Sequence, residues 1–274
     1  MTRGSSGDNS ALGNAPSRVS GLGRAYIRLH AAFAGKHPRI RPWHFQWLAT
    51  RALYAELRRT LPQLRGKVLD LGCGEQPYRD WMTSATEVTG IDVVTGPQVD
   101  LVVENGTALP FAAHSFDAIL CTQVLEHVPD AEHFLAELVR VLRPGGTLLL
   151  SVPFCYNQHG APFDFRRFTI AGLQTWLSQD FDVDDVRSQN RIGSTIATLF
   201  LNWLDEALDA NRPLRLVKAV LLPLNLLCSL AVNGFAIALD CCDHTGAFYA
   251  NVLCLCTRRG LPAPTRSGSI LCAE

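Results

Sequence analysis

Short apolar runs, each closed by turn-forming residues, recur through the middle of the chain. Val68-Leu-Asp-Leu71 is one, and it stops at Gly72-Cys73-Gly74. Runs of this kind predict strands over 67–71, 88–93, 99–103, 116–121 and 146–152, with Phe181–Arg187 a sixth and Ala250–Thr257 a seventh. Elsewhere the period changes. Phe134, Leu135, Leu138, Val139 and Leu142 recur at three and four, so 131–142 predicts a helix, stopped by Pro144-Gly145-Gly146. His44–Thr60 predicts another, ended by Pro62, and Thr169–Gln179 a third. Strands alternating with helices predict an α/β domain, with a parallel sheet of about seven strands and helices on both faces. No internal repeat is visible.

The flanks differ from this core. The first twenty-odd residues are rich in Gly, Ser and Asn and lack an apolar run, so 1–22 is expected to be a disordered tail without a signal peptide. The expected division is a helical flank over 23–64, the main domain over 65–258 and a flexible tail over 259–274. Inside that domain an apolar helical insertion is expected at about 195–240. Within it, Ala219–Leu239 is uncharged and mostly apolar, and meets the ~20 residues a membrane span needs. Pro223, Asn225, Asn233 and Gly234 interrupt it. A single crossing also could not return the chain to a seventh strand in the same sheet. A buried insertion, a lipid-facing patch or shallow hairpin, and a true span remain open readings. Arg212, Arg215 and Lys218 flank one end, as contact with an anionic lipid surface would favour.

Charge and cysteine content narrow the function. The 274 residues carry a formal net charge of +0, which gives no electrostatic case for a nucleic-acid partner. The nine cysteines are odd in number, and without an export signal they are expected to be reduced. The expected location is cytoplasmic, with attachment to the inner face of a membrane through 219–239 as the open alternative. Cys241-Cys242-Asp243-His244 and Cys254-Leu-Cys256 do not have the spacing of structural zinc sites, so no metal is expected from them.

The chemistry centres on the turn after the first strand. Gly72 and Gly74 let the backbone bend sharply and approach a ligand. Asp70 is a carboxylate at a buried strand end, costly without a partner. About twenty residues on, Asp92 ends the second strand, where an acid accepts hydrogen bonds from ribose hydroxyls. The dinucleotide fingerprint needs a third glycine at position 77, where this chain has Pro77. The site therefore suits a nucleoside without phosphates.

Asn105-Gly-Thr-Ala-Leu-Pro-Phe111, Ser115-Phe-Asp-Ala-Ile-Leu-Cys121, Val124-Leu-Glu-His-Val128 and Arg140-Val-Leu-Arg-Pro-Gly-Gly146 follow in order. With the glycine turn, this order and spacing resembles the class I S-adenosylmethionine-dependent methyltransferases, in the small-molecule branch of methyltransferase type 11. The resemblance covers roughly Lys67 to Pro153, and more loosely the rest to about Arg258. It implies a Rossmann-like sheet, S-adenosyl-L-methionine as cofactor, and methyl transfer to a small-molecule acceptor, a sugar or a lipid-linked intermediate. It assigns the methionine moiety to Asp70, Gly72, Cys73 and Gly74, and the ribose to Asp92. Asn105, Gly106 and Thr107 fall beside the adenine, with Asn105 standing where the family usually has Asp. Cys121, Thr122 and Gln123 fall near the sulfonium, and the helix over 44–60 is expected on the cofactor side as a lid or flank.

Two histidines are candidate bases, His127 after the fourth strand and His159 after the fifth, because an imidazole titrates near neutrality. For His127 a packing role is the equal alternative. The loop from Pro153 to Thr169 is similar to a His-x-x-Pro-x-Asp-Phe-x-Arg-Phe-Thr segment of bacterial methyltransferases associated with surface-polysaccharide and glycolipid pathways. Asp164, Arg166 and Arg167 in it are candidate acceptor-binding residues; the alternative is an Asp164–arginine pair that staples the loop. A nicotinamide-dependent oxidoreductase and a non-catalytic cofactor-binding protein are the competing readings.

Overall fold

A computed structural model describes residues 21–260. The tails expected over 1–22 and 259–274 fall almost entirely outside them. Seven strands form one sheet: β1 Gly66–Leu71, β2 Ala85–Asp92, β3 Leu101–Val102, β4 Phe116–Thr122, β5 Leu142–Pro153, β6 Phe181–Gln189 and β7 Asn251–Arg258. The spatial order is β3-β2-β1-β4-β5-β7-β6. β1 to β5 pair in parallel, and β7 runs antiparallel between β5 and β6. The predicted strand over 99–103 shortens to two residues, because Asp100 turns its carboxylate onto the Gly90 amide and ends the pairing.

The helices are α1 Gly21–Ala34, α2 Trp47–Thr60, α3 Ala131–Val141, α4 Ile170–Leu177, α5 Ile192–Asp209, α6 Arg212–Val220 and α7 Leu222–Cys242. Asp130 caps α3 by accepting from the His133 amide, and Thr169 caps α4 by accepting from Gly172. One sheet face buries Leu69, Ile119, Leu148 and Leu150 against Leu135, Leu138 and Leu177. The other buries Val68, Leu120, Leu149 and Leu253 under Leu57, Leu61 and Leu64. Thus α2 and the turn after it flank a sheet face. No crossover helix joins β1 to β2, only a 3-10 turn at Arg79–Trp81. The connection spends its residues on Gly72, Gly74 and Pro77 and is too short for a helix with two turns.

The apolar insertion is a three-helix layer, α5 to α7, between β6 and β7. α7 is long and apolar enough to cross a membrane, yet most of its apolar length is not buried within the protein. A narrow stripe, Leu222, Ser229, Asn233 and Ala236, packs inward. Asn233 donates its side-chain amide to the carbonyls of Pro42 and His44, at 2.7 and 3.2 Å, which ties α7 to the loop before α2. Leu224, Leu227, Leu230 and Phe235 face outward, so a fully buried insertion is not what forms. Lys218 is also not the lipid-facing cation its position suggested. It is buried, with its ammonium 2.7 Å from both Asp205 and Asp209.

Candidate functional site

β1 leads to β2 on one side of the sheet and β4 lies on the other, so the strand order reverses between β1 and β4. In parallel sheets the carboxyl ends at such a reversal leave a crevice, which is where ligands bind. The Gly72–Gly74 turn leaves β1 there, and Thr122 and Gln123 leave β4. The turn is shaped by its glycines. Gly72 has φ +64°, and a Cβ on it would lie 2.3 Å from Cγ2 of Val124. Gly74 has φ +53°, and a Cβ there would meet nothing within 4 Å. The backbone at Gly74 is thus open to whatever enters the crevice. Cys73 turns its side chain inward and is 2% exposed, so it offers backbone alone to that space.

Asp92 stands across from this turn at the tip of β2. Its carboxylate accepts from the Gly74 amide at 2.9 Å and from the Val94 amide at 3.0 Å. Each oxygen keeps a free lone pair, and Val93 and Val94 beside it are exposed. Asn105 donates to the His127 carbonyl at 2.9 Å, with Gly106 and Thr107 exposed next to it. Gln123 takes φ +55° and donates its side chain to Ser151 at 3.0 Å.

Asp70 is placed deeper than a cofactor-binding role requires. It is fully buried, accepting from Gln76 Nε2 at 2.8 Å and from the Tyr78 hydroxyl at 3.4 Å. Burial pushes its pKa up to about 7, against the pull of those two bonds and of Arg79. Asp70 orders the turn from beneath and does not present a face to the crevice. Gln76 at φ +44°, Tyr78 and Arg79 were not singled out from the sequence. The signal was there, since a buried strand-end carboxylate demands donors from the adjoining turn.

The loop after β5 brings His159 to His127. Their rings meet edge to face with centroids 4.7 Å apart, and both are partly exposed. Beneath them Glu126 is fully buried, its two oxygens without a hydrogen-bond partner among the described residues. Burial raises the Glu126 pKa to about 7 and is the main cause lowering that of His159. The three remaining loop candidates have partners within the protein. Arg167 grips Asp164 with both guanidinium nitrogens, at 2.5 and 2.7 Å, and this bonding holds the Asp164 carboxyl down at about 2. Arg166 donates to the carbonyls of Val128 and Pro129 at 2.5 and 2.8 Å. These residues pin the loop against the segment after β4, the stapling role that the sequence left open beside acceptor binding. The cysteines resolve simply: Cys254 and Cys256 are buried in β7 and Cys241 and Cys242 are exposed at the end of α7.

The methyltransferase-domain family matches residues 69–150, which run from β1 into β5. A probable S-adenosylmethionine-dependent methyltransferase of Mycolicibacterium smegmatis is 38% identical over 135 residues, covering 43% of this chain and 52% of that protein. A ubiquinone biosynthesis O-methyltransferase of Xanthomonas axonopodis pv. citri is 36% identical over 100 residues, covering 31% of this chain and 42% of that protein. The chain spans about half the length of the curated relatives it matches. Among solved structures, an S-adenosylmethionine-dependent methyltransferase from Mesorhizobium loti aligns over 77% of this chain and 100% of that one, at 17% identity and a TM-score of 0.48. An open glycine turn, an acid at the next strand tip and a match running from β1 to β5 agree with one another. Over residues 69–150 the chain is thus similar to a methyltransferase domain, and its curated relatives include S-adenosylmethionine-dependent methyltransferases.

Proposed function

We propose that the protein transfers a methyl group from S-adenosylmethionine to an oxygen of a small-molecule acceptor. The observation that supports this best is the shared edge: the Gly72–Gly74 turn, Asp92, and the Thr122–Gln123 corner border one crevice, with His127 and His159 beside it. In this reading Asp92 receives the ribose hydroxyls on its free lone pairs. Val93 and Val94 give the adenine an apolar surface. The open backbone at Gly74 admits the methionine end. Bound there, the cofactor supplies an electrophilic methyl carbon on a sulfonium with a good leaving group. The protein's task is then alignment and exclusion of water, with an imidazole at hand for the acceptor's proton.

A nicotinamide reading is disfavoured by a specific feature. Dinucleotide sites place the pyrophosphate on the N-terminus of a helix after the first strand. Here β1 runs into a 3-10 turn with Pro77 in the third-glycine position. For the acceptor, relatives named for ubiquinone biosynthesis O-methylation and demethylmenaquinone methylation support a lipid-linked molecule over a free sugar. The outward apolar residues of α5 to α7 support the same choice, and with it a peripheral position on the cytoplasmic face of a membrane. Calorimetric titration with S-adenosylhomocysteine and, in parallel, NAD tests the cofactor assignment. Binding of the first alone is expected; binding of NAD alone would overturn it. Radiolabelled methyl transfer into a lipid extract, against transfer into a soluble fraction, tests the acceptor.

A further inference from the structure

We infer that Glu126, His127 and His159 form a binding site for one divalent transition-metal cation at the mouth of the crevice. The three are brought together by different elements. Glu126 and His127 lie in the 3-10 turn Leu125–His127 after β4, and His159 lies in the loop after β5. One ligand atom from each lies within 4.8 Å of the other two. Oε1 of Glu126 is 3.8 Å from Nε2 of each histidine.

The hydrogen bonds fix what those atoms carry. Nδ1 of His127 is 2.5 Å from the carbonyl oxygen of Phe163, a pure acceptor, so Nδ1 holds the proton. Nδ1 of His159 is 3.3 Å from the Asn157 carbonyl and 3.5 Å from Asp164 Oδ2, again acceptors. In each neutral ring Nε2 therefore presents a lone pair toward the Glu126 oxygen. Three electron-pair donors thus converge, and the carboxylate among them is 0% exposed with both oxygens unpartnered. A buried carboxylate in that state is costly. A shared proton is a poor remedy, because no hydrogen bond spans 3.8 Å. Two imidazolium ions with ring centroids 4.7 Å apart would repel each other. A divalent cation between the donors answers all three at once. Metal-binding histidines regularly anchor the other ring nitrogen on a carbonyl or carboxylate, as both do here.

Two nitrogens and one carboxylate suit zinc, manganese, iron(II) or cobalt(II) better than magnesium or calcium. Ligand bonds of about 2.0–2.2 Å require the donors to close in by roughly half an ångström. Both rings are partly exposed, 27% and 33%, which leaves coordination positions facing the crevice. Those positions fit an oxygen of the acceptor. In this part the inference rests on the methyl-transfer reading. With the cation bound both imidazoles are ligands, so the acceptor hydroxyl would give its proton to water in place of an imidazole, its oxygen pair would form the bond to the methyl carbon, and the pair of the breaking C–S bond would stay on sulfur. The cation's charge would favour loss of that proton. No metal was expected from the sequence. The cysteine clusters have the wrong spacing, and His159 joins Glu126 only through the fold.

The test uses the full chain stripped with a chelator. It is titrated with cobalt(II) chloride, followed by visible absorption, and with zinc chloride, followed by calorimetry. One equivalent should bind. Glu126→Gln and His159→Asn should each weaken binding more than about tenfold, the loss typical even of an outer-sphere partner. Circular dichroism of each variant checks folding, and Cys241→Ser/Cys242→Ser should bind like the parent. No binding by the folded parent, or undiminished binding in folded Glu126→Gln and His159→Asn, overturns the site. S-adenosylhomocysteine is titrated in the same preparations. Its binding without metal binding sinks only the metal site; metal binding without it sinks only the cofactor assignment.

Discussion

Replacing Asp70 with asparagine isolates the electrostatic cost stored under the glycine turn. The carboxylate has no exposure, and burial lifts its pKa from 3.8 to about 7 although Gln76, Tyr78 and Arg79 all pull the other way. An acid raised in the folded state binds its proton more tightly there than in the unfolded chain. Below pH 3.8 both states are protonated and the group takes nothing from stability. Between 3.8 and about 7 the unfolded chain ionises first, so stability falls as pH rises. Above that window the loss is constant. At about 1.4 kcal/mol for each tenfold change in ionisation constant, it amounts to about 4 kcal/mol. Asparagine keeps the shape and a carbonyl for Gln76 Nε2, and its amide can donate to the Tyr78 hydroxyl. Urea denaturation at pH 5, 6, 7 and 8 should therefore give a falling stability for the parent and a flatter one for Asp70→Asn. The variant should lead by several kcal/mol at pH 8 and by little at pH 4. Parallel curves across pH 5–8, or a variant less stable at pH 8, would refute the reasoning.

Asp92→Ala should lower S-adenosylhomocysteine affinity in calorimetry and lose about 1–2 kcal/mol of stability through its two amide bonds; unchanged affinity in a folded variant would remove Asp92 from the site. Gly72→Ala should destabilise more than Gly74→Ala in thermal melts, because both sit at positive φ but only the first drives a Cβ to 2.3 Å from Val124. The second should cost about 1–2 kcal/mol of left-handed strain alone. The protein should float with anionic liposomes at low salt. Leu227→Asp and Phe235→Asp, at residues 63% and 72% exposed, should abolish flotation without moving the melting temperature. Equal flotation of parent and variants would rule out that face as the contact.

Much of the sheet is legible in the sequence because apolar runs ending in glycine or in an acid leave few alternatives for a buried strand. β1, β4, β5 and β7 fall within a few residues of their predicted bounds, whereas β3 shrinks because a side chain, Asp100, competes for the backbone. The cofactor edge follows from strand order once the strands are placed. What pattern alone does not carry is the partner of each charged group. Arg166 and Arg167 look like anion receptors in sequence, and the fold also gives them partners in Val128, Pro129 and Asp164. Lys218 reads as a surface cation and is buried between two aspartates from α5. Glu126 reads as a bystander to His127 until the loop after β5 folds back over it.

The place of β7 bears on how the molecule is assembled. Among the described residues β6 has no neighbour in the sheet except β7, and β5 meets β6 only through it. A nascent chain that has emerged as far as Gln189 therefore holds two strands with a gap one strand wide between them. It must then make the whole α5–α7 layer, with its outward leucines and phenylalanines, before Asn251–Arg258 arrives to fill the gap. During that interval open strand edges and an apolar helical surface coexist on one intermediate, the combination that favours association with other chains. Sheet closure is postponed to nearly the last residues described, so a chain stopped before β7 would be released with its hazards exposed.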